Sequence, residues 1–278
     1  MSNHVAGKSI VITGAGGGFG RLVSQKTAAL GARLTCADID AAAAEETVAA
    51  IRAAGGSARA VRTDVSDLAQ MKALAREAAE AWGTVDVMIN NAGIMPLAFY
   101  ADHEAAADAW HRCIDINFKG VLNGIIAVHD QMMAQGRGHI VNLSSIYGNF
   151  PVVGAAVYGA TKAAVNFLSE SLRVESRGRI KVTTVKPTGV PATGLAGTVV
   201  NQGAAVGIVA QNMPDFLTLL AQTGDGSIDP ARMDAGSIEY AMLAPEHIAD
   251  AIVHAINQPW GVSIGDITVR AAGDLFVL

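Results

Sequence analysis

Short apolar runs alternate with alanine-rich, amphipathic stretches along most of the chain. Runs of five or six apolar and β-branched residues, bounded by glycine or acidic residues, are typical of buried strands. Seven segments fit this description: Ser9–Thr13, Arg33–Asp38, Ala58–Thr63, Val85–Asn90, His139–Ser144, Lys181–Lys186 and Asp266–Arg270. The stretches after the first three predict helices that end near Leu30, Ala54 and Trp82.

This alternation predicts a single α/β domain over residues 1–278. Parallel neighbours require crossover connections, which place helices on both faces of the sheet. We therefore expect a doubly wound parallel sheet of about seven strands. The pattern breaks between Pro187 and Pro245, where Gly, Ala and Pro are frequent. Because a long insertion beside a compact domain is usually functional, we interpret about 191–243 as a substrate lid, with a plain surface excursion as the alternative.

Composition narrows the possible partners. The chain is 51% hydrophobic and 16% charged, with a net charge of -5 and no basic cluster, so we expect no nucleic acid partner. We find no apolar run near the ~18 residues of a membrane span and no signal-peptide pattern at Met1–His4. Cys36 and Cys113 lie far apart, which favours buried thiols in a reducing cytoplasm over a disulfide. The seven histidines lack metal-site spacing, so we expect no metal.

A glycine-rich turn follows the first predicted strand and opens a helix, over Thr13–Gly20. Glycine lets the backbone approach a ligand closely, and the free N–H groups at a helix start attract a pyrophosphate. A flexible turn is the alternative, but the strand–turn–helix context favours a dinucleotide site. The contacts expected here are Gly14, Gly18, Phe19 and Gly20.

The second predicted strand ends at Asp38. An acidic side chain there accepts hydrogen bonds from an adenosine ribose and repels a 2′-phosphate. No Arg or Lys lies within the glycine turn, so both observations favour NAD over NADP. The alternative is that Asp38 or Asp40 only caps the following helix.

Tyr158 and Lys162 are four residues apart and would share one face of a helix. A cation beside a phenol lowers the phenol's pKa and makes it a usable proton donor and acceptor. Such a pair also arises by chance, so its meaning depends on the surrounding motifs.

Taken together, the motifs resemble the short-chain dehydrogenase/reductase family over essentially the whole chain. The glycine turn fits the family's TGxxxGxG, and Ser145 stands thirteen residues before Tyr158, the usual family interval. The other matching positions are Thr63-Asp64-Val65, Asn90-Asn91-Ala92-Gly93, Asn117 and Lys162. One departure follows the sixth strand, where Thr193 falls one residue later than the family's threonine.

The resemblance implies a Rossmann-type fold and a catalytic tetrad. Tyr158 would exchange a proton with the substrate oxygen, and Ser145 would stabilise that oxygen. Lys162 would hold the nicotinamide ribose and lower the Tyr158 pKa, and Asn117 would hold a water that relays protons. The remaining cofactor contacts implied are Asp64, Val65, Asn91, Ala92, Gly93, Pro187, Gly189 and Val190. Asn90 is expected to be structural and Ser144 not to be the active hydroxyl, whereas Tyr147 could line the substrate pocket or only pack.

The predicted function is NAD-dependent hydride transfer between the cofactor and a secondary alcohol or ketone. Apolar residues in the predicted lid suggest a substrate with apolar bulk: Met213, Phe216, Leu217 and Leu220. Two alternatives are another reaction on this scaffold, such as an epimerase or dehydratase, and a non-catalytic NAD sensor. The family implies a homotetramer, with a dimer as the alternative, and small residues suited to subunit contact follow Tyr158: Gly159, Ala160, Ala163 and Ala164.

Overall fold

The structure, a computed structural model, describes residues 2–191 and 193–277. Seven parallel strands form one sheet in the order β3-β2-β1-β4-β5-β6-β7. The strands are β1 (Ser9–Thr13), β2 (Arg33–Asp38), β3 (Ser57–Arg62), β4 (Val87–Asn90), β5 (Gly138–Leu143), β6 (Ile180–Pro187) and β7 (Asp266–Val269). The predicted doubly wound sheet is confirmed.

The largest error in a predicted strand boundary is at β4, which begins at Val87 rather than Val85. Asp86, just before the strand, accepts a hydrogen bond from the backbone N–H of Ser9 (2.9 Å) with its carboxylate. Its backbone also links the neighbouring strands, donating to the carbonyl of Ser9 and accepting from the N–H of His139, both at 2.9 Å. The sequence predicted a longer strand because Val85 is apolar. The structure buries Val85 fully but places it outside the strand.

Nine α-helices are present in the described part of the chain. They are α1 (Gly18–Ala29), α2 (Ala41–Ala53), α3 (Leu68–Trp82), α4 (His103–Cys113), α5 (Gly120–Gln135), α6 (Ala156–Glu175), α7 (Val206–Val209), α8 (Met213–Asp225) and α9 (Pro245–Ile256). A turn of π-helix, Ile114–Lys119, joins α4 to α5. Such turns are rare and frequently lie at functional sites.

Two hydrophobic cores hold the helices against the sheet. Ile10 and Ile12 of β1 pack on the face covered by α1, α2 and α9, whereas Val11 packs on the face covered by α3, α5 and α6. All five residues of β1 are buried, as expected for a central parallel strand covered on both sides.

The direction in which successive strands are added to the sheet changes between β1 and β4. From β1 the sheet grows through β2 to β3 in one direction, and through β4 to β7 in the other. In open α/β sheets a crevice forms outside the carboxyl ends of the strands at such a switch point, and ligands bind there. The strand ends at Thr13, Asp38, Asn90 and Leu143 all lie along this edge.

The predicted lid consists of short helices and turns. It includes α7, α8 and 3₁₀ turns at Gly194–Thr198 and Gln202–Ala205. By length and composition alone, Gln202–Asp225 is long and apolar enough to cross a membrane, although polar residues interrupt it. Its backbone turns sharply at Ala210 (φ 44°), and such a segment is weak evidence for a span. Ala192, at the start of the lid, lies outside the described residues.

Candidate active site

A cavity of about 940 Å³ opens at the carboxyl edge of the sheet. This is near the upper end of the ~300–1,000 Å³ typical of small-molecule sites. Most residues predicted from the sequence line it: Gly14, Gly18, Phe19, Asp38, Asn91, Ala92, Gly93, Ser145, Tyr158, Lys162, Pro187, Gly189 and Val190. Gly20, Asp64, Val65 and Asn117 lie outside its lining. The four lid residues Met213, Phe216, Leu217 and Leu220 also line it.

The glycine turn fits a pyrophosphate. Helix α1 begins after Gly17, and among the described residues no side chain caps its N-terminus. A Cβ atom built on Gly17 or Gly18 would meet no atom of the described chain within 4 Å, so the space beside the turn is open to the cavity. The unpaired N–H groups at the helix start can therefore reach a phosphate there. Gly14 and Gly18 have positive φ angles, 66° and 48°, which other residues rarely adopt.

Gly20 acts by close packing rather than by facing the cavity. A Cβ atom at this position would lie 2.1 Å from the carbonyl oxygen of Gly14. The Asn91 side chain braces the same turn, donating from Nδ2 to the carbonyls of Thr13 (2.9 Å) and Gly14 (3.1 Å). The loop after β4 therefore holds the loop after β1 in place.

Asp38 lies against the turn at the end of β2. Its carboxylate accepts hydrogen bonds from the N–H groups of Gly16 (2.8 Å) and Asp40 (3.0 Å). Asp40 is the residue that caps α2, accepting from Ala42 and Ala43, so the two acidic residues have separate tasks. This arrangement leaves Asp38, not Asp40, in the cavity wall.

A cation not considered in the sequence interpretation lies close to the glycine turn. Arg21 donates from Nη2 to the Gly16 carbonyl (2.6 Å) and forms an ion pair with Glu46 (3.0 Å). Sequence reasoning examined only the turn itself, whereas Arg21 reaches back to it from the first turn of α1. Glu46 already balances its charge.

Tyr158 and Lys162 project from α6 into the cavity as predicted, with Lys162 Nζ 5.7 Å from the centre of the Tyr158 ring. Both side chains are about 5% exposed. Burial raises the pKa of Tyr158 to about 12, although the Ser145 hydroxyl acts in the opposite direction. Burial also lowers the pKa of Lys162 to about 8.

The prediction that Lys162, together with the oxidised ring, lowers the Tyr158 pKa stays a prediction. In the protein alone, burial is the largest influence on both groups, and it disfavours the charged form of each. The sequence argument considered the charge on the lysine but not its burial.

Hydrogen bonds fix the backbone around this pair. Lys162 Nζ donates to the carbonyl of Leu143 (2.7 Å), the last residue of β5. Ser144 donates to the Lys162 carbonyl (3.0 Å) and so links β5 to α6. Ser145 faces the cavity, and its hydroxyl accepts a hydrogen bond from the N–H of Tyr147 (3.2 Å). Tyr147 lines the cavity and also packs, with its hydroxyl donating to the Ile208 carbonyl (3.3 Å).

The Asn117 side chain is fully buried on the π-helical turn. Its amide exchanges two hydrogen bonds with the backbone of Ile94, at 2.9 and 2.8 Å. The side chain therefore fastens the loop after β4, beside Gly93, and a water relay at this position stays a prediction. Asn90 is likewise structural, donating to the Asn142 side chain (2.8 Å).

Asp64 and Val65 follow β3 without reaching the cavity. The Asp64 carboxylate accepts hydrogen bonds from the N–H and hydroxyl of Ser66 (2.9 and 2.7 Å). Val65 is buried against Gly120, where an added Cβ atom would lie 2.7 Å away. Their predicted contact with an adenine stays a prediction.

The chain also matches known proteins in sequence and in structure. Residues 8–203 match the sequence profile of the short chain dehydrogenases. The chain belongs to the short-chain dehydrogenase/reductase family. An uncharacterized oxidoreductase of Listeria monocytogenes is 35% identical over 95% of this chain and 96% of its own length. The 2,5-dichloro-2,5-cyclohexadiene-1,4-diol dehydrogenase of Sphingobium indicum is 36% identical over 68% of this chain and 76% of its own.

Solved structures of this family differ in cofactor. A Burkholderia phymatum short-chain dehydrogenase/reductase in complex with NAD has a TM-score of 0.75 and 31% identity, covering 96% of this chain and 90% of its own. A metagenomic short-chain oxidoreductase in complex with NADP has a TM-score of 0.72 and 26% identity, covering 96% and 98%. The family establishes this chain as an oxidoreductase whose relatives bind nicotinamide cofactors.

Several cavity residues of this oxidoreductase have no sequence signal. They come from the loop after β4, from the lid and from the C-terminus: Ile94, Met95, Leu195, Ile208, Leu275 and Phe276. Thr193 also lines the cavity, and its hydroxyl donates to the Val190 carbonyl (3.3 Å). These positions depend on how irregular segments fold over the sheet, which no short motif encodes.

Proposed function

We propose that this family member is an NAD-dependent dehydrogenase or reductase that transfers hydride between the cofactor and a secondary alcohol or ketone. One observation carries the proposal. Ser145, Tyr158 and Lys162 line the same cavity as the open glycine turn and Asp38. A dinucleotide lying from the turn toward β5 and β6 would present its reactive ring to the hydroxyl groups that handle a substrate oxygen.

When bound, the nicotinamide supplies or accepts the hydride. Tyr158 donates a proton to the substrate oxygen in reduction and accepts it in oxidation. Its raised pKa keeps the phenol protonated at neutral pH, which suits the donor role. Ser145 stabilises the negative charge that develops on the same oxygen. Lys162, anchored on Leu143, stands ready to hold a ribose hydroxyl and to place positive charge beside the phenol.

NAD is the proposed cofactor because of Asp38. Its carboxylate lies on the glycine turn, where it would repel a 2′-phosphate and accept from ribose hydroxyls. Arg21, the nearby cation, is already paired with Glu46. The test is to compare kcat/KM with NAD and with NADP, and a preference for NADP would overturn this assignment.

The substrate is proposed to carry apolar bulk next to its carbinol carbon. Tyr158 belongs to a hydrophobic cluster that includes Tyr147, Ile208 and Phe216. The similar Sphingobium enzyme is a dehydrogenase of a chlorinated cyclic diol, which is a secondary alcohol on an apolar ring. Helices α7 and α8 would act as a lid that excludes water over this side of the cavity.

The acid/base role is tested by comparing two tyrosines in the same cavity. Tyr158→Phe keeps the ring in its buried position and removes only the hydroxyl. We expect kcat to fall by ~10²–10⁴, the usual contribution of general acid–base catalysis, while NAD binding persists. Tyr147→Phe is the matched control and should lose much less activity. Equal activities of the two variants would overturn the proposed mechanism.

The same assays separate the alternative functions. NADH absorbance across a panel of secondary alcohols detects oxidation, and product analysis detects an epimerase or a dehydratase. NAD binding without turnover of any compound would instead indicate a sensor.

We also propose a homotetramer, with a dimer as the alternative. Helix α6 exposes Phe167 (76% exposed) and Val174 (75%) together with Ala160 and Ala163. Light scattering gives the mass directly.

The unpaired, buried thiols of Cys36 and Cys113 support a cytoplasmic location.

A further inference from the structure

The C-terminal tail, residues 271–277, folds back over the cavity. Strand β7 ends at the same edge of the sheet as the active site, and the tail continues from it toward the lid. Asn212 donates from Nδ2 to the Leu275 carbonyl (2.8 Å), and the N–H of Val277 donates to the Ile208 carbonyl (3.0 Å). The tail is thereby joined to the lid on both sides of Phe276.

The root of the tail is fixed to the sheet. Arg270 forms an ion pair with Asp274, and Asp274 also lies 3.3 Å from the Thr188 hydroxyl on the loop after β6. Arg270 donates a further hydrogen bond to the Phe276 carbonyl (3.2 Å). These contacts hold the backbone of Phe276 in one position.

The ring of Phe276 lies directly on the loop after β6. A Cβ atom built on Gly189 would lie 1.9 Å from Phe276 Cζ, so the two groups fit together only because residue 189 is glycine. Gly189 belongs to the loop predicted to contact the nicotinamide. The tail therefore reaches the part of the cavity where cofactor and substrate would meet.

On its other side, the ring contacts the lid. Phe276 and Phe216 of α8 pack edge to face with their ring centres 5.8 Å apart. Phe276 also packs against the cluster that contains Tyr147 and Tyr158. The ring thus lies between the catalytic tyrosine's cluster, the lid and the loop after β6, with its surface exposed to the cavity.

We infer that Phe276 determines the size of the substrate group accepted beside the carbinol carbon. This inference rests on the proposed function and specifies its substrate. The ring is held by two neighbours, Gly189 and Phe216, and cannot retreat without displacing one of them. It therefore limits the bulk that the cavity admits, and a smaller side chain at this position enlarges the space for the substrate.

The test uses methyl carbinols whose second substituent grows from methyl through propyl and phenyl to naphthyl. For Phe276→Ala, we expect the kcat/KM ratio of the largest to the smallest alcohol to rise at least about tenfold. Phe276→Trp should lower the same ratio. Phe150→Ala, the same exchange at a position that is 52% exposed and outside the cavity lining, should leave it unchanged. Unchanged ratios in both Phe276 variants would overturn the inference.

Calorimetric binding of the same alcohols to the NADH-bound protein gives the size ranking without turnover. Turnover with unaltered size selection refutes the role of Phe276 and leaves the proposed function intact. Binding without any turnover refutes the proposed function. In that case, a size ranking that Phe276→Ala reverses still supports the inference, whereas a ranking that Phe276→Ala leaves unchanged refutes both proposals.

A double substitution tests the contact itself. Gly189→Ala should displace the ring and change size selection, and it should also weaken cofactor binding. If the clash with Phe276 is the cause, adding Phe276→Ala should restore most of the lost cofactor affinity. Simply additive effects of the two substitutions would show that Gly189 and Phe276 do not act together.

Discussion

The charge on Lys162 should set the pH at which alcohol oxidation begins. Tyr158 is a base only when deprotonated, so the oxidation rate rises with pH up to the phenol's pKa in the cofactor complex. Removing the ammonium with Lys162→Met raises that pKa. The onset of oxidation should therefore move to higher pH.

The geometry gives the size of the shift. Lys162 Nζ lies 5.7 Å from the Tyr158 ring centre. With an effective dielectric constant of ~20, a charge at that distance changes the energy of the phenolate by ~3 kcal/mol, or about two pKa units. Burial opposes this attraction, because it raises the pKa of Tyr158 and lowers the pKa of Lys162. The positive charge of a bound oxidised nicotinamide would add to the effect of the ammonium on the phenol.

Initial rates of oxidation between about pH 6 and 10.5, at saturating cofactor, measure the onset. Lys162→Arg retains the charge and should keep an onset near that of the native protein. The binding constant of NAD, measured separately for each variant, removes the contribution of weaker cofactor binding. An onset for Lys162→Met within half a unit of the native one would refute the reasoning, as would an oxidation rate that falls as pH rises toward 9.

Two further predictions concern the dinucleotide end. Gly20→Ala places a Cβ atom 2.1 Å from a backbone carbonyl, so we expect ~1–3 kcal/mol of destabilisation and loss of NAD binding. Gly17→Ala should keep its Tm and lose only NAD affinity. Equal Tm values for the two variants would contradict this. Asp38→Asn keeps an acceptor for the Gly16 N–H and removes the charge, so kcat/KM with NADP relative to NAD should rise at least about tenfold. An unchanged ratio would mean that Asp38 does not select the cofactor.

The sequence predicts the sheet well because burial on both faces produces continuous apolar runs. β1 and β2 begin and end where predicted, and the other strands differ by at most two residues at either end. The site is predicted from local geometry as far as residues lie at a strand end or one helical turn apart, which includes Asp38, Tyr158 and Lys162. Ser145 was implied by the family resemblance.

The rest depends on contacts between distant segments. Phe276 meets Gly189 across more than eighty residues, and no spacing rule connects them. The pKa values of Tyr158 and Lys162 depend on how completely the lid and the loops bury them. Asn117 has the expected position, but its side chain serves the backbone of Ile94, which only the packed structure reveals.

The hydrogen bonds from Asn91 have a mechanical consequence. The Asn91 amide, on the loop after β4, holds the turn after β1 in place, so the backbone of the crevice is already ordered before a ligand binds. A dinucleotide entering this crevice has little backbone to order, and less of its binding energy is lost to that ordering. The side of the cavity formed by the lid and the C-terminal tail is built instead from short helices and irregular segments, so its shape depends on single side-chain contacts such as that of Phe276 with Gly189. The backbone thus shapes the region where a shared cofactor would bind, and individual side chains shape the region where one substrate must be told from another.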